Sequence, residues 1–214
     1  MKPLSPLETR VLGVLFEKSK TVPDTYPLSL NALTAGCSQK NNRDPVMNAT
    51  EAEVQAAVDA LHARSMVSQS SGARVARFEH NVGRALRIPD QAVALLATLF
   101  LRGPQTAAEL RINSERLHRF ADISSVEAFL EEMATRPDSQ GGALVVKLAR
   151  QPGEREQRWA HLLGGPVEHL AASAAEPATA PERGDALAEL RAQVAQLRAE
   201  VAELRAAVEA LRRD

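Results

Sequence analysis

The chain has 214 residues, 26 Lys and Arg against 27 Asp and Glu, a formal net charge of −1, 44% hydrophobic residues and only 3% aromatic ones. That length accommodates two cores of about 80 residues each plus an extension, but near-zero charge denies a globally basic nucleic-acid footprint, and so few rings count against a platform for stacking single-stranded bases. The single Cys37 rules out an intrachain disulfide, no Cys/His spacing offers a zinc site, and no run approaches the roughly 20 apolar residues that cross a bilayer, so the expectation is a cytoplasmic protein of a reducing compartment.

In chain order, Ser5 followed by Pro6 predicts a helix start, with Leu7, Val11, Val14 and Leu15 as its buried face and the turn Thr21 to Pro27 ending it. Leu28 to Ala35 is expected as a short second helix. Gly36 and the run Cys37 to Pro45 then read as an ordered loop. Thr50 with Glu53 forms a capping box for a third helix, whose stripe Val54, Ala57, Val58 and Leu61 is spaced i, i+3, i+4, i+7. A hairpin turning at Ser71-Gly72 and closing on Arg77-Phe78-x-His80 completes the unit. The same order follows again. Pro89 and Asp90 open a helix that Gly103-Pro104 closes, Ser124 with Glu127 is expected to cap the stripe Val126, Phe129, Leu130 and Met133, and Leu144 to Ala149 pairs with Arg158 to Leu163 around Pro152-Gly153.

The repetition extends to residues. VLGVLF at 11–16 is answered by LLATLF at 95–100, and Arg77-Phe78-x-His80 by Arg158-Trp159-x-His161. From Phe16 to Val54 is 38 residues and from Phe100 to Val126 only 26, so the first copy carries an insertion of 12, most of it around the second helix. Helix, helix, helix and hairpin is the order of a winged helix-turn-helix. The expected fold class is mainly α with small β-hairpins, an α+β arrangement of two tandem winged-helix domains over 1–88 and 89–170.

Residues 171–184 lack periodicity and read as a flexible linker. Over 185–214, Leu187, Val194, Val201 and Val208 fall at heptad position a and Leu190, Leu197, Leu204 and Leu211 at d. β-Branched a positions with Leu at d predict a parallel two-stranded coiled coil, hence a homodimer; Glu200 at g then meets Arg205 at e of the partner.

Thr25-Tyr26-Pro27-Leu28-Ser29-Leu30-Asn31-Ala32-Leu33 and Cys37-x-Gln39-Lys40-x-Asn42-Arg43-Asp44-Pro45-Val46-Met47 resemble the YceH-like family of bacterial proteins. So do Leu101-Arg102-Gly103-Pro104-Gln105-Thr106, Glu109-Leu110-Arg111, Glu115-Arg116-Leu117-His118 and Arg150-Gln151-Pro152-Gly153. Together these motifs span most of residues 4–164. The resemblance implies a tandem winged-helix fold and no particular activity.

No nucleophile elbow, phosphate-cradling Gly loop or metal-binding helix motif frames the Ser, His and Asp residues, so no enzyme, cofactor or metal is expected. His80 and His161 recur at one position, which favours a structural role in the hairpins over catalysis. Cys37 is expected as a half-buried small residue, although Lys40 and Arg43 nearby would lower its pKa. Winged helices commonly read duplex DNA with the third helix. Here those helices present Glu51, Glu53, Gln55 and Asp59, then Glu127, Glu131 and Glu132, which repel phosphate. The first unit is nevertheless the basic one, with 11 Lys and Arg against 8 Asp and Glu over 1–88. Lys40, Arg43, Arg74, Arg77, Arg150, Arg155 and Arg158 are therefore the candidate phosphate contacts. The expected function is a DNA-associated regulatory factor; the alternative is a scaffold whose winged helices dock an unidentified protein partner.

Overall fold

The computed structural model describes residues 2–70, 75–150 and 154–165. Helix α1 (Pro6–Thr21) starts where Ser5 accepts the Glu8 amide at 3.1 Å and the Glu8 carboxylate accepts the Ser5 amide, a complete capping box with Pro at the first turn. Strand β1 (Leu28–Ser29) follows a 3-10 turn, and α2 runs over Leu30–Cys37. This corrects the expected helix over 28–35. Ser29 keeps an extended backbone at ψ 163° and spends its hydroxyl on the Ala32 amide, so it caps the helix from outside while Leu28 pairs with Phe78 in a sheet.

Helix α3 (Glu51–Ala63) carries the expected Thr50 and Glu53 box and buries Val54, Ala57, Val58 and Leu61. Strands β2 (Val67–Ser70) and β3 (Arg77–His80) complete an antiparallel sheet of order β1-β3-β2. A short α4 (Val82–Leu86), which the periodicity did not announce, leads into α5 (Asp90–Arg102). Gly103 ends α5 at φ +72°, a backbone that side-chain-bearing residues avoid.

Helix α6 (Ala107–Asn113) is capped by Thr106 with Glu109, and α7 spans Ile123–Ala134. The cap of α7 is Asp122, whose carboxylate accepts the Ser125 amide at 2.7 Å, instead of the expected Ser124. Asp122 is the residue in extended backbone, and Ser124 already lies inside the first turn. Strands β4 (Val145–Lys147) and β5 (Trp159–His161) form the second hairpin, with Val145 opposite His161 and Lys147 opposite Trp159.

The order helix, β bridge, helix, helix, hairpin occurs twice, with α4 between the two runs. Where β1 pairs with β3 in the first, Gln105 and Trp159 exchange backbone hydrogen bonds of 3.1 and 2.7 Å in the second. Apolar burial runs across the boundary expected at 88/89, because α1 packs on α5 within one core that joins Val11, Val14 and Leu15 to Leu95, Leu96 and Leu99. The helices come close at Gly13: a Cβ there would lie 2.9 Å from two atoms of Leu101. The result is an α+β architecture of seven helices and two small antiparallel sheets among the described residues. The linker over 171–184 and the heptads over 185–214 lie outside them.

Candidate functional site

The loop after α2 contains the densest motif of the chain, and its polar side chains turn inward. Arg43, expected at the surface as a phosphate contact, has a side chain with no exposed area; its two Nη atoms lie 3.1 and 2.6 Å from the Glu17 carboxylate, and its Nε donates to the Gly36 carbonyl at 3.2 Å. Burial alone would raise the Glu17 pKa, but hydrogen bonds and charge from Arg43 outweigh it and leave the carboxyl below its ordinary range. Arg43 is therefore an internal ion pair, which corrects its assignment to a nucleic-acid surface.

Arg10 is buried beside it and, among the described residues, has no carboxylate partner. Its Nη1 and Nη2 donate to the carbonyls of Cys37 and Pro45 at 3.2 and 2.6 Å, and burial followed by the Arg43 charge pulls its pKa down. The loop is also tied to α5. The Asp44 amide donates to the Leu101 carbonyl at 2.8 Å, and Arg102 donates to the Asn42 side chain at 2.8 Å. Asn42 sits at φ 59°, a conformation its short polar side chain tolerates. Cys37 is fully buried instead of half-buried, and burial pushes its thiol up to about 12 in spite of both arginines. A thiol so held is neutral and inert. The motif is thus a clamp between α1, α2 and α5.

His80 and His161 are packed against rings. His80 lies 5.0 Å from the Phe16 ring and its amide donates to the Tyr26 hydroxyl at 2.7 Å; His161 stands edge-on to Phe100 at 4.9 Å. Burial lowers the pKa of both, that of His161 to about 4. No group of three or more His, Cys, Asp or Glu suited to a metal ion occurs among the described residues.

Of the other nominated cations, Arg158 is held between Glu109 at 2.8 Å and Glu154 at 3.0 Å. Arg77 is exposed but donates to the Pro27 carbonyl at 2.8 Å, and Arg74 lies outside the described residues. Lys40, Arg150 and Arg155 are exposed, and among the described residues none of them enters a hydrogen bond or ion pair. Arg150 and Arg155 line one open cleft of about 610 Å³ between the start of α7 and the second hairpin, together with Lys147, Glu127, Glu156 and the buried Trp159.

Lys147 was missed in the sequence. Its Nζ lies 5.2 Å from the Trp159 ring centroid and 3.9 Å from Glu131. Pairing the two expected strands residue by residue would have found it, since it is the cross-strand partner of Trp159. The acidic faces read from the sequence are exposed as expected, with Glu51, Glu53 and Asp59 on α3 and Glu127, Glu131 and Glu132 on α7. The heptad positions nominated for a dimer seam fall outside the described residues.

Residues 4–154 match the family described as "Protein of unknown function, DUF480". The chain is 61% identical over 196 residues to a UPF0502 protein of Delftia acidovorans, a match covering 90% of this chain and 86% of the relative. It is 59% identical over 190 residues to a UPF0502 protein of Acidovorax, covering 88% and 84% respectively. A UPF0502 protein of Burkholderia thailandensis is 62% identical over 190 residues, covering 87% and 80%.

Proposed function

The chain belongs to the DUF480 family of bacterial proteins, shared with its UPF0502 relatives, and we propose that it is a tandem winged-helix protein acting as a non-enzymatic, DNA-associated regulatory factor. The observation that carries this reading is the repeated unit: helix, β bridge, helix, helix, hairpin, with the bridge before the second helix of each half returning to the last strand of the same half. That order is the one expected of a winged helix-turn-helix, and together with the YceH-like resemblance it supports the reading. In this reading residues 185–214 pair two chains through parallel heptads, which doubles the DNA-contacting surface.

One observation favours a second reading. In a winged helix the third helix is the one that enters the major groove, and the exposed carboxylates of α3 and α7 suit a basic protein partner better than phosphate. Titration of full-length protein into random-sequence duplex DNA at several salt concentrations separates the two. Binding that weakens log-linearly with salt supports the DNA reading. No binding at low salt rejects it in favour of protein docking.

A further inference from the structure

We propose that the cleft between the start of α7 and the β4–β5 hairpin holds the sugar-phosphate backbone of duplex DNA through Lys147, Arg150 and Arg155. This rests on the DNA reading above and narrows it to one half of the molecule. Two arginines of the first half are occupied inside it, Arg43 by Glu17 and Arg10 by loop carbonyls, and the exposed Arg77 donates to the Pro27 carbonyl. Lys40 is the first-half nominee that remains exposed without such a partner among the described residues.

In the second half, three cations converge on one concavity. Its volume is about 610 Å³ and it is open to solvent, which leaves room for a phosphate group. Arg150 and Arg155 are both exposed and both line the cleft, so a phosphate strand lying in it meets two guanidinium groups. Lys147 is placed by Trp159, over whose ring its ammonium rests. The same ammonium lies 3.9 Å from Glu131, which offsets part of the α7 charge that would otherwise repel phosphate. Glu127 and Glu156 also line the cleft and set a limit on affinity. Contacts of this kind position a duplex without reading bases, so weak sequence preference is expected.

The test uses the full chain and a fluorescein-labelled random duplex, with anisotropy followed over a salt series. Arg150→Gln with Arg155→Gln removes two exposed charges without touching the core; affinity at low salt should fall on the order of tenfold, and the log-log salt slope should shrink by about 2. Adding Lys147→Gln should deepen the loss, Glu127→Gln should strengthen binding, and Lys40→Gln should change it little. Wild-type binding with an unchanged slope in the double variant overturns the cleft assignment and leaves the DNA reading standing. A wild type that binds no duplex overturns both.

Discussion

The His161 ring stands edge-on to Phe100, its centroid 4.9 Å away at an interplanar angle of 78°. The same pairing recurs in the first half between His80 and Phe16, at 5.0 Å and 59°. In each half the last residue of the repeated apolar helix segment meets the histidine that ends the hairpin, so the ring pair joins the first element of the unit to its last.

That packing makes stability depend on pH. His161 has its pKa lowered to about 4 from an ordinary 6.5, and burial lowers that of His80 as well. The unfolded chain therefore binds protons that the folded chain refuses, so this stabilisation is full above pH 6.5 and is lost as pH falls toward 4. Urea midpoints measured between pH 8 and pH 4 should decline across that window. His161→Gln should flatten part of the decline and His161→Asp should destabilise more than Gln, since it buries a new charge. A pH-independent midpoint in the wild type contradicts this account.

Arg43 is expected to behave as a core residue. Arg43→Ala strands the Glu17 carboxylate and should cost on the order of 3 kcal/mol, whereas Lys40→Ala, three residues away and exposed, should stay within about 0.5 kcal/mol. Replacing the pair together, Arg43→Met with Glu17→Leu, should recover much of the loss. Chemical denaturation decides it, and equal effects at the two positions would return Arg43 to the surface.

The α1–α5 approach has a steric limit at Gly13. Alanine improves helix propensity by about 1 kcal/mol, but its Cβ would lie 2.9 Å from Leu101, and overpacking of a filled core costs roughly 1–3 kcal/mol. Gly13→Val, with two further methyl groups, should unfold at a clearly lower temperature than Gly13→Ala, and neither should exceed the wild type. A stabilised Gly13→Ala protein would mean that α5 yields.

The heptad prediction stands on sequence. Eight apolar side chains from Leu187 to Leu211 stay exposed unless a second helix covers them. Sedimentation velocity should find a dimer at micromolar concentration, converted to monomer by Leu197→Asp with Leu204→Asp while the circular dichroism of the remainder persists. A monomeric wild type ends the model.

What the sequence determined by itself is what local chemistry controls. Ser5 and Thr50 each state a helix start because a hydroxyl satisfies an amide within its own first turn, and the stripes of α3 and α7 follow from the 3.6-residue period. The repeat was legible because both copies bury the same faces. Ser29 and Asp122 show where that legibility ends, since several polar residues near a helix start compete to cap it and backbone outside the helix selects one. The fate of a charge was not local at all. Arg43 and Arg150 look alike in sequence, and only the tertiary structure decided that one would meet Glu17, 26 residues away inside the fold, while the other would line an open cleft. A long flexible cation goes where a distant carboxylate or carbonyl lowers its desolvation cost, and that partner exists only once α1, α2 and α5 have packed.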